Sequence, residues 1–215
     1  MKKICIIGNS HTAILIDGWK LVKDDFPTLS CDFYAVRNGN DNNIGLKCLR
    51  NENHCLKGFN RHMGDTSYAD LHKYDAFVLY GVLWSPIHFF SLQSNNSYSS
   101  QLKKVIITER VLTSNGLSVL EKIRESVDTP VLIASHPYPP ANKKAKGISQ
   151  EDYINSIDLI NQELVKFGAI YLPRPRETLT DRYLTHNHFF KKDMVHLNDK
   201  TAIVSIRSLL DRISM

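Results

Sequence analysis

The stretch Lys3-Ile4-Cys5-Ile6-Ile7-Gly8-Asn9-Ser10-His11-Thr12 decides how the chain is read. Four consecutive apolar residues, Ile4 to Ile7, have the pattern of a strand buried on both faces; Gly8 permits a sharp turn, and an apolar-periodic segment begins at Ala13. Strand, tight turn and helix in that order is where parallel α/β proteins hold ligands, because the carboxyl ends of the strands meet the amide groups that open a helix. Ser10 falls at this junction.

Outward from there, Ala13, Ile14, Ile16, Trp19 and Val22 predict a helix from about His11 to Lys23, ended by Phe26-Pro27. Phe33 and Tyr34 mark a second strand over Cys31 to Val36, followed by the turn-rich loop Arg37-Asn38-Gly39-Asn40-Asp41-Asn42-Asn43-Ile44-Gly45. Leu46 to Asp65 has no clear period, and a short helix is predicted over Tyr68 to Lys73. Ala76 to Tyr80, ending at Gly81, is the best central strand, since apolar residues without alternation imply burial on both faces. Leu83 to Ser100 reads either as a helix on the core or as a loop over the site.

In the second half, Gln101 to Arg124 has helical spacing interrupted at Ser114-Asn115-Gly116. Val131 to Ala134 is a strand that exits through Ser135-His136-Pro137. Ser149 with Asp152 has the form of a helix cap and opens a helix to about Phe167. Ala169 to Leu172 is a fifth strand, and the last helix runs from about Asp199 to Ile213. This alternation predicts one α/β domain over residues 1–215 with a mostly parallel sheet of about five strands.

With 215 residues, 42% hydrophobic and 23% charged, the chain has the composition of an ordinary globular domain. A formal charge of +5 spread along the chain lacks the dense basic face of a nucleic-acid binder, so no nucleic-acid partner is expected. No apolar run is long enough to span a bilayer, and the one that follows Met1-Lys2-Lys3 is too short for a secretory signal. Cys5, Cys31, Cys48 and Cys55 lack CxxC spacing. All four are expected to be reduced, in a cytoplasmic protein.

A serine is a poor nucleophile unless a base lies in hydrogen-bond reach and a third group orients that base. Of the nine histidines, His196 stands out because Asp193 lies three residues before it, just ahead of a predicted helix. One short turn can then present both side chains to the same place. Taken alone, Ser10 reads as a helix N-cap and Asp193 as a charge favoured at a helix start; the strand and glycine context and the distant Asp-x-x-His raise the nucleophile above that. His186 and His188 are not completed into a metal set by any cysteine or carboxylate pattern, so neither a metal nor a cofactor is expected.

Gly8-Asn9-Ser10-His11 resembles the first block of the SGNH hydrolases, the GDSL-like esterases, with asparagine where aspartate is commonest. Asp193-Met194-Val195-His196-Leu197-Asn198 is similar to the last block, and Asn38-Gly39 to the second. The resemblance implies a three-layer α/β/α, flavodoxin-like fold with Ser10 as nucleophile, His196 as general base and Asp193 as its orienting partner. It also implies that the amides of Ser10 and Gly39 line the oxyanion hole. In the third block the family has glycine, one residue, then an asparagine that donates to the oxyanion; here Gly81-Val82-Leu83 puts Leu83 at that place. Loss of one such donor costs on the order of 100- to 1000-fold in turnover.

Gly81, Trp84 and His136 follow strand ends and are candidates for substrate contact, although a packed proline turn explains His136 equally well and core packing explains some of Trp84, Phe89 and Phe90. Three functions remain open. One is an esterase acting on a small or carbohydrate-linked acyl ester. Another is an O-acyltransferase of polysaccharide modification, and the third a catalytically silent SGNH-like module that binds a glycan or a protein. The sequence leaves the oligomeric state open.

Overall fold

The computed structural model describes residues 1–36, 44–87, 99–135, 137–141, 147–192 and 197–214. Its strands are β1 (Lys2–Gly8), β2 (Leu29–Ala35), β3 (Arg50–Glu52), β4 (Cys55–Lys57), β5 (Arg61–Met63), β6 (Ala69–Asp70), β7 (Ala76–Leu83), β8 (Val131–Ser135) and β9 (Ala169–Leu172). The helices are α1 (Thr12–Val22), the single turn α2 (Ile44–Lys47), α3 (Ser100–Leu112), α4 (Asn115–Arg124), α5 (Gln150–Val165) and α6 (Asp199–Ser214).

The main sheet has six strands in the order β5-β2-β1-β7-β8-β9. All pairings are parallel except that of β5, which lies antiparallel along the edge of β2. Alternate residues of each central strand feed two cores, as the two-residue period of a strand requires. Cys5, Ile7, Phe77, Leu79, Val131 and Ile133 pack against α3, α4 and α5. Ile4, Ile6, Val78, Tyr80, Leu132 and Ala134 pack against α1 and α6. This is the three-layer sandwich with a mostly parallel sheet that the sequence predicts, enlarged by one strand.

The largest departure lies in the segment without a period. Within residues 50–70, β3, β4 and β6 build a second, three-stranded antiparallel sheet in the order β3-β4-β6. Its strands are two or three residues long, too short to display alternation. Its hairpin turns on Asn53 and His54, both at positive φ (53° and 61°), where Asn-Gly would be the usual sequence signal. The predicted helix over Tyr68 to Lys73 is instead β6 followed by a 3-10 turn, Leu71–Lys73, whose N-cap Asp70 accepts from the His72 amide at 3.3 Å.

Local signals elsewhere are borne out. The helical stretch breaks where expected, because Ser114 leaves α3 and caps α4 by accepting from the Leu117 amide at 3.2 Å. Ser149 caps α5 in the same way, accepting from the Asp152 amide at 3.0 Å. All four cysteines are free, with Cys5 and Cys31 buried in the cores. Among the described residues no helix is long and apolar enough to cross a membrane.

Candidate active site

One row of paired residues crosses the whole main sheet at its carboxyl edge: Leu172, Ala134, Tyr80, Gly8, Ala35 and Arg61. The chain leaves β1 at Gly8, and the row fixes how close that exit lies to its neighbours. A Cβ on Gly8 would collide with the Tyr80 carbonyl oxygen and Thr12 Oγ1, so only glycine lets β1 and β7 approach here while α1 begins at once.

Asn9, 6% exposed, holds the turn that follows. Its Nδ2 donates to the Gly81 carbonyl oxygen at 2.5 Å and its Oδ1 accepts from the His11 amide at 3.0 Å. The Asn9 carbonyl then accepts from the Thr12 amide (3.0 Å) and that of Ser10 from the Ala13 amide (3.4 Å), starting the helix. The N-cap position belongs to His11, and no side chain caps α1. Ser10 is exposed, and its hydroxyl makes no hydrogen bond to a described residue. A cap role for Ser10 is therefore unfilled, and the hydroxyl stands at the first turn of the helix with its oxygen open.

Ser10 opens onto a cleft of about 780 Å³ between α1 and the edge formed by β2 and β5. Its lining combines apolar Ala13, Ile16, Phe33 and Ala35 with polar Asn60, Arg61 and His62. These three polar residues come from the segment that has no sequence period, and no local signal singles them out.

Gly81 does not end β7, which runs on to Leu83 with an irregularity: Tyr80 pairs with Ala134, and the next pair is Leu83 with Ser135. Gly81 takes φ +68°, and a Cβ there would stand 2.8 Å from Asn9 Oδ1. Leu83 is 1% exposed within the α3–α5 core, while Trp84, which follows, is 42% exposed. Neither Gly81 nor Trp84 is among the residues lining the cleft. Gly39, His136, Asp193 and His196 lie outside the described residues.

Several described residues flank those positions. The Val36 amide donates to the Gly8 carbonyl oxygen at 3.0 Å. Phe190 and Leu197 form an antiparallel bridge and are buried in the same core as Tyr80. Asn198 anchors the start of α6, donating to the carbonyls of His188 (2.6 Å) and Phe190 (3.3 Å) while accepting from the Thr201 amide (3.3 Å). Arg174, just past β9, is 5% exposed and donates from Nη1 to the Tyr80 hydroxyl at 2.8 Å. Its Nε and Nη2 are buried without a hydrogen-bond partner. An arginine set between two prolines directly after a strand end is the signal that marks this residue in the sequence.

Among the described residues no cluster of histidine, cysteine and carboxylate side chains could hold a metal ion. The chemistry available at the cleft is that of a serine hydroxyl beside the amide groups of a helix start, which stabilise negative charge developing near them.

No family model and no curated sequence matches the chain. Solved structures match over nearly its whole length. A DUF4886 family protein from Bacteroides uniformis is 13% identical with a TM-score of 0.53, over 98% of this chain and 83% of that one. An acetyl-xylooligosaccharide esterase from Geobacillus, as an arginine-to-alanine mutant, is 12% identical with a TM-score of 0.54, over 100% and 94%. A serine-to-alanine catalytic mutant of an acetylxylan esterase from Geobacillus stearothermophilus is 11% identical with a TM-score of 0.52, over 100% and 94%. The chain therefore has the three-layer α/β fold of these solved structures, the fold expected from its first and last sequence blocks.

Proposed function

We propose that this protein is a serine esterase of the SGNH type that hydrolyses an acyl ester carried on a carbohydrate. The observation that carries the reading is the uncapped, exposed Ser10 hydroxyl at the strand–turn–helix junction, facing a cleft large enough for a sugar. Solved structures with the same fold include an acetylxylan esterase whose serine-to-alanine form is called a catalytic mutant, which supports assigning the chemistry to a serine.

In this reading Ser10 Oγ attacks the acyl carbonyl while its proton passes to His196, which Asp193 orients. The oxyanion is held by the amides of Ser10 and Gly39. Collapse of the tetrahedral intermediate expels the sugar alcohol, which takes the proton from His196 and leaves the acyl group on Ser10. Water then attacks the acyl-enzyme, giving its proton to His196, and the carboxylic acid leaves as Ser10 is reprotonated. Of the three residues read from the sequence as substrate contacts, Gly81 is buried and neither it nor Trp84 lines the cleft, which leaves His136 for that role at the rim.

A fluorophosphonate that labels Ser10, with labelling lost in Ser10→Ala, is the expected result, together with release of acetate from an acetylated xylooligosaccharide. Repeating the assay with a free sugar acceptor separates hydrolysis from acyl transfer. One observation favours a second reading. Leu83 is buried in the core where the family carries its third oxyanion donor, which suits a silent glycan-binding module. An unlabelled Ser10, with glycan binding retained and no turnover, would decide for it.

A further inference from the structure

We propose that the alcohol part of the ester bears a carboxylate, as a uronate-type sugar does, and that Arg61 selects it; the word ester here rests on the reading of Ser10 given above. Arg61 pairs with Ala35, on the face of the sheet where Phe33 and Met63 meet α1. It lies in the same row as Gly8, two strands away. Strand spacings of about 4.8 Å put its Cα roughly 10 Å from that of Gly8. Ser10 and Arg61 thus line one cleft, together with the apolar Ile16 and Phe33.

The charge balance of the cleft points to an anion. Arg61 is exposed and forms no ion pair or hydrogen bond through its guanidinium with any described residue. None of the described lining residues is an aspartate or a glutamate. Asp32, on the opposite face of β2, has its carboxylate engaged by Lys3 at 2.9 Å and by the Tyr74 hydroxyl at 2.8 Å. A planar guanidinium offers two parallel donors that match a carboxylate, and a neutral sugar leaves that capacity unused.

The test compares the full-length protein against two pairs of ligands. For binding, xylotriose and a xylotriose bearing one glucuronic acid are titrated by calorimetry. For turnover, their acetylated forms are hydrolysed. The acidic ligand is expected to bind about tenfold more tightly, a preference that shrinks between about 50 and 500 mM salt and disappears in Arg61→Gln. The charge-matched control Arg212→Gln, on α6, keeps the preference. Equal affinity for both ligands, or a preference that survives Arg61→Gln, overturns the proposal. If the acidic ligand is preferred through Arg61 but no ester is ever cleaved, the esterase reading fails and the anion subsite stands. Ester cleavage without any acid preference gives the reverse.

Discussion

Asn9 ties the start of α1 to β7 with one side chain, donating to the Gly81 carbonyl oxygen at 2.5 Å and accepting from the His11 amide at 3.0 Å. The turn that carries Ser10 is thereby tied to β7 rather than held by its own sequence. Aspartate, the commonest residue here in the SGNH hydrolases, can still accept from the His11 amide but cannot donate to Gly81. Asn9→Asp is therefore expected to cost about 1–3 kcal/mol of stability, read by urea denaturation, because it sets a carboxylate against a buried carbonyl oxygen. A variant as stable as the parent would mean that the turn does not depend on the clamp.

The two glycines on either side of that clamp differ in what they forbid. Gly8→Ala drives a methyl group into the Tyr80 backbone carbonyl, which cannot move without breaking the β1–β7 pairing, so a loss of about 3 kcal/mol or more is expected. Gly81→Ala combines a left-handed φ of +68° with a contact to the Asn9 side chain at 2.8 Å. Its cost is about 1–3 kcal/mol, and it should perturb fluorophosphonate labelling of Ser10 by shifting Asn9. Equal stability of the two variants would argue against this distinction.

Arg174 is buried with a single hydrogen-bond partner, the Tyr80 hydroxyl at 2.8 Å. Tyr80→Phe removes that acceptor and leaves the guanidinium without any, at an expected cost of about 2 kcal/mol. Arg174→Met replaces the charge by an apolar side chain of similar length and should cost less than Tyr80→Phe, or stabilise. The ordering of the two denaturation midpoints checks this. A larger loss for Arg174→Met would reveal a compensating buried charge.

Alkaline pH should unfold this protein early. Burial raises the pKa of the Tyr74, Tyr138 and Tyr171 phenols and of the Cys5 thiol, and pushes that of Cys31 up to about 12. The hydrogen bond to Asp32 raises the pKa of the Lys3 ammonium. In each case the folded state keeps a proton that the unfolded chain releases once pH passes about 8.5 for cysteine and about 10 for tyrosine and lysine. Stability from these groups is complete below those values and falls as pH rises through them. Melting temperatures should be flat from about pH 7 to 8 and decline steeply above about pH 9. A thiol reagent should modify the exposed Cys48 readily, and Cys5 and Cys31 only after denaturation.

How much of this was legible depends on whether the signal was local. The cap at Ser149 could be read because a cap and the amide that donates to it lie three residues apart, and the break at Ser114-Asn115-Gly116 because glycine suits a helix interior poorly. The central strands β1, β7 and β8 could be read because burial on both faces leaves an apolar run, and β2 because Phe33 and Tyr34 favour strands. The small sheet could not, since its strands are shorter than a detectable period and its turn puts His54 at positive φ. Gly81 looked like a strand end because glycine punctuates strands; the chain instead uses it within an irregular stretch of β7.

By itself, the sequence determined that a buried strand runs into a glycine turn and then a helix, and so that Ser10 stands at the carboxyl edge of a parallel sheet. Hydrophobic periodicity and turn chemistry act over a few residues, and a sequence displays them directly. Only the tertiary structure decided that Asn9 reaches Gly81, 72 positions away, that Arg174 reaches Tyr80 across 94, and that Arg61 shares a cleft with Ser10. Those relationships follow from strand order and register, which arise when distant segments pair, and no short window of sequence contains them.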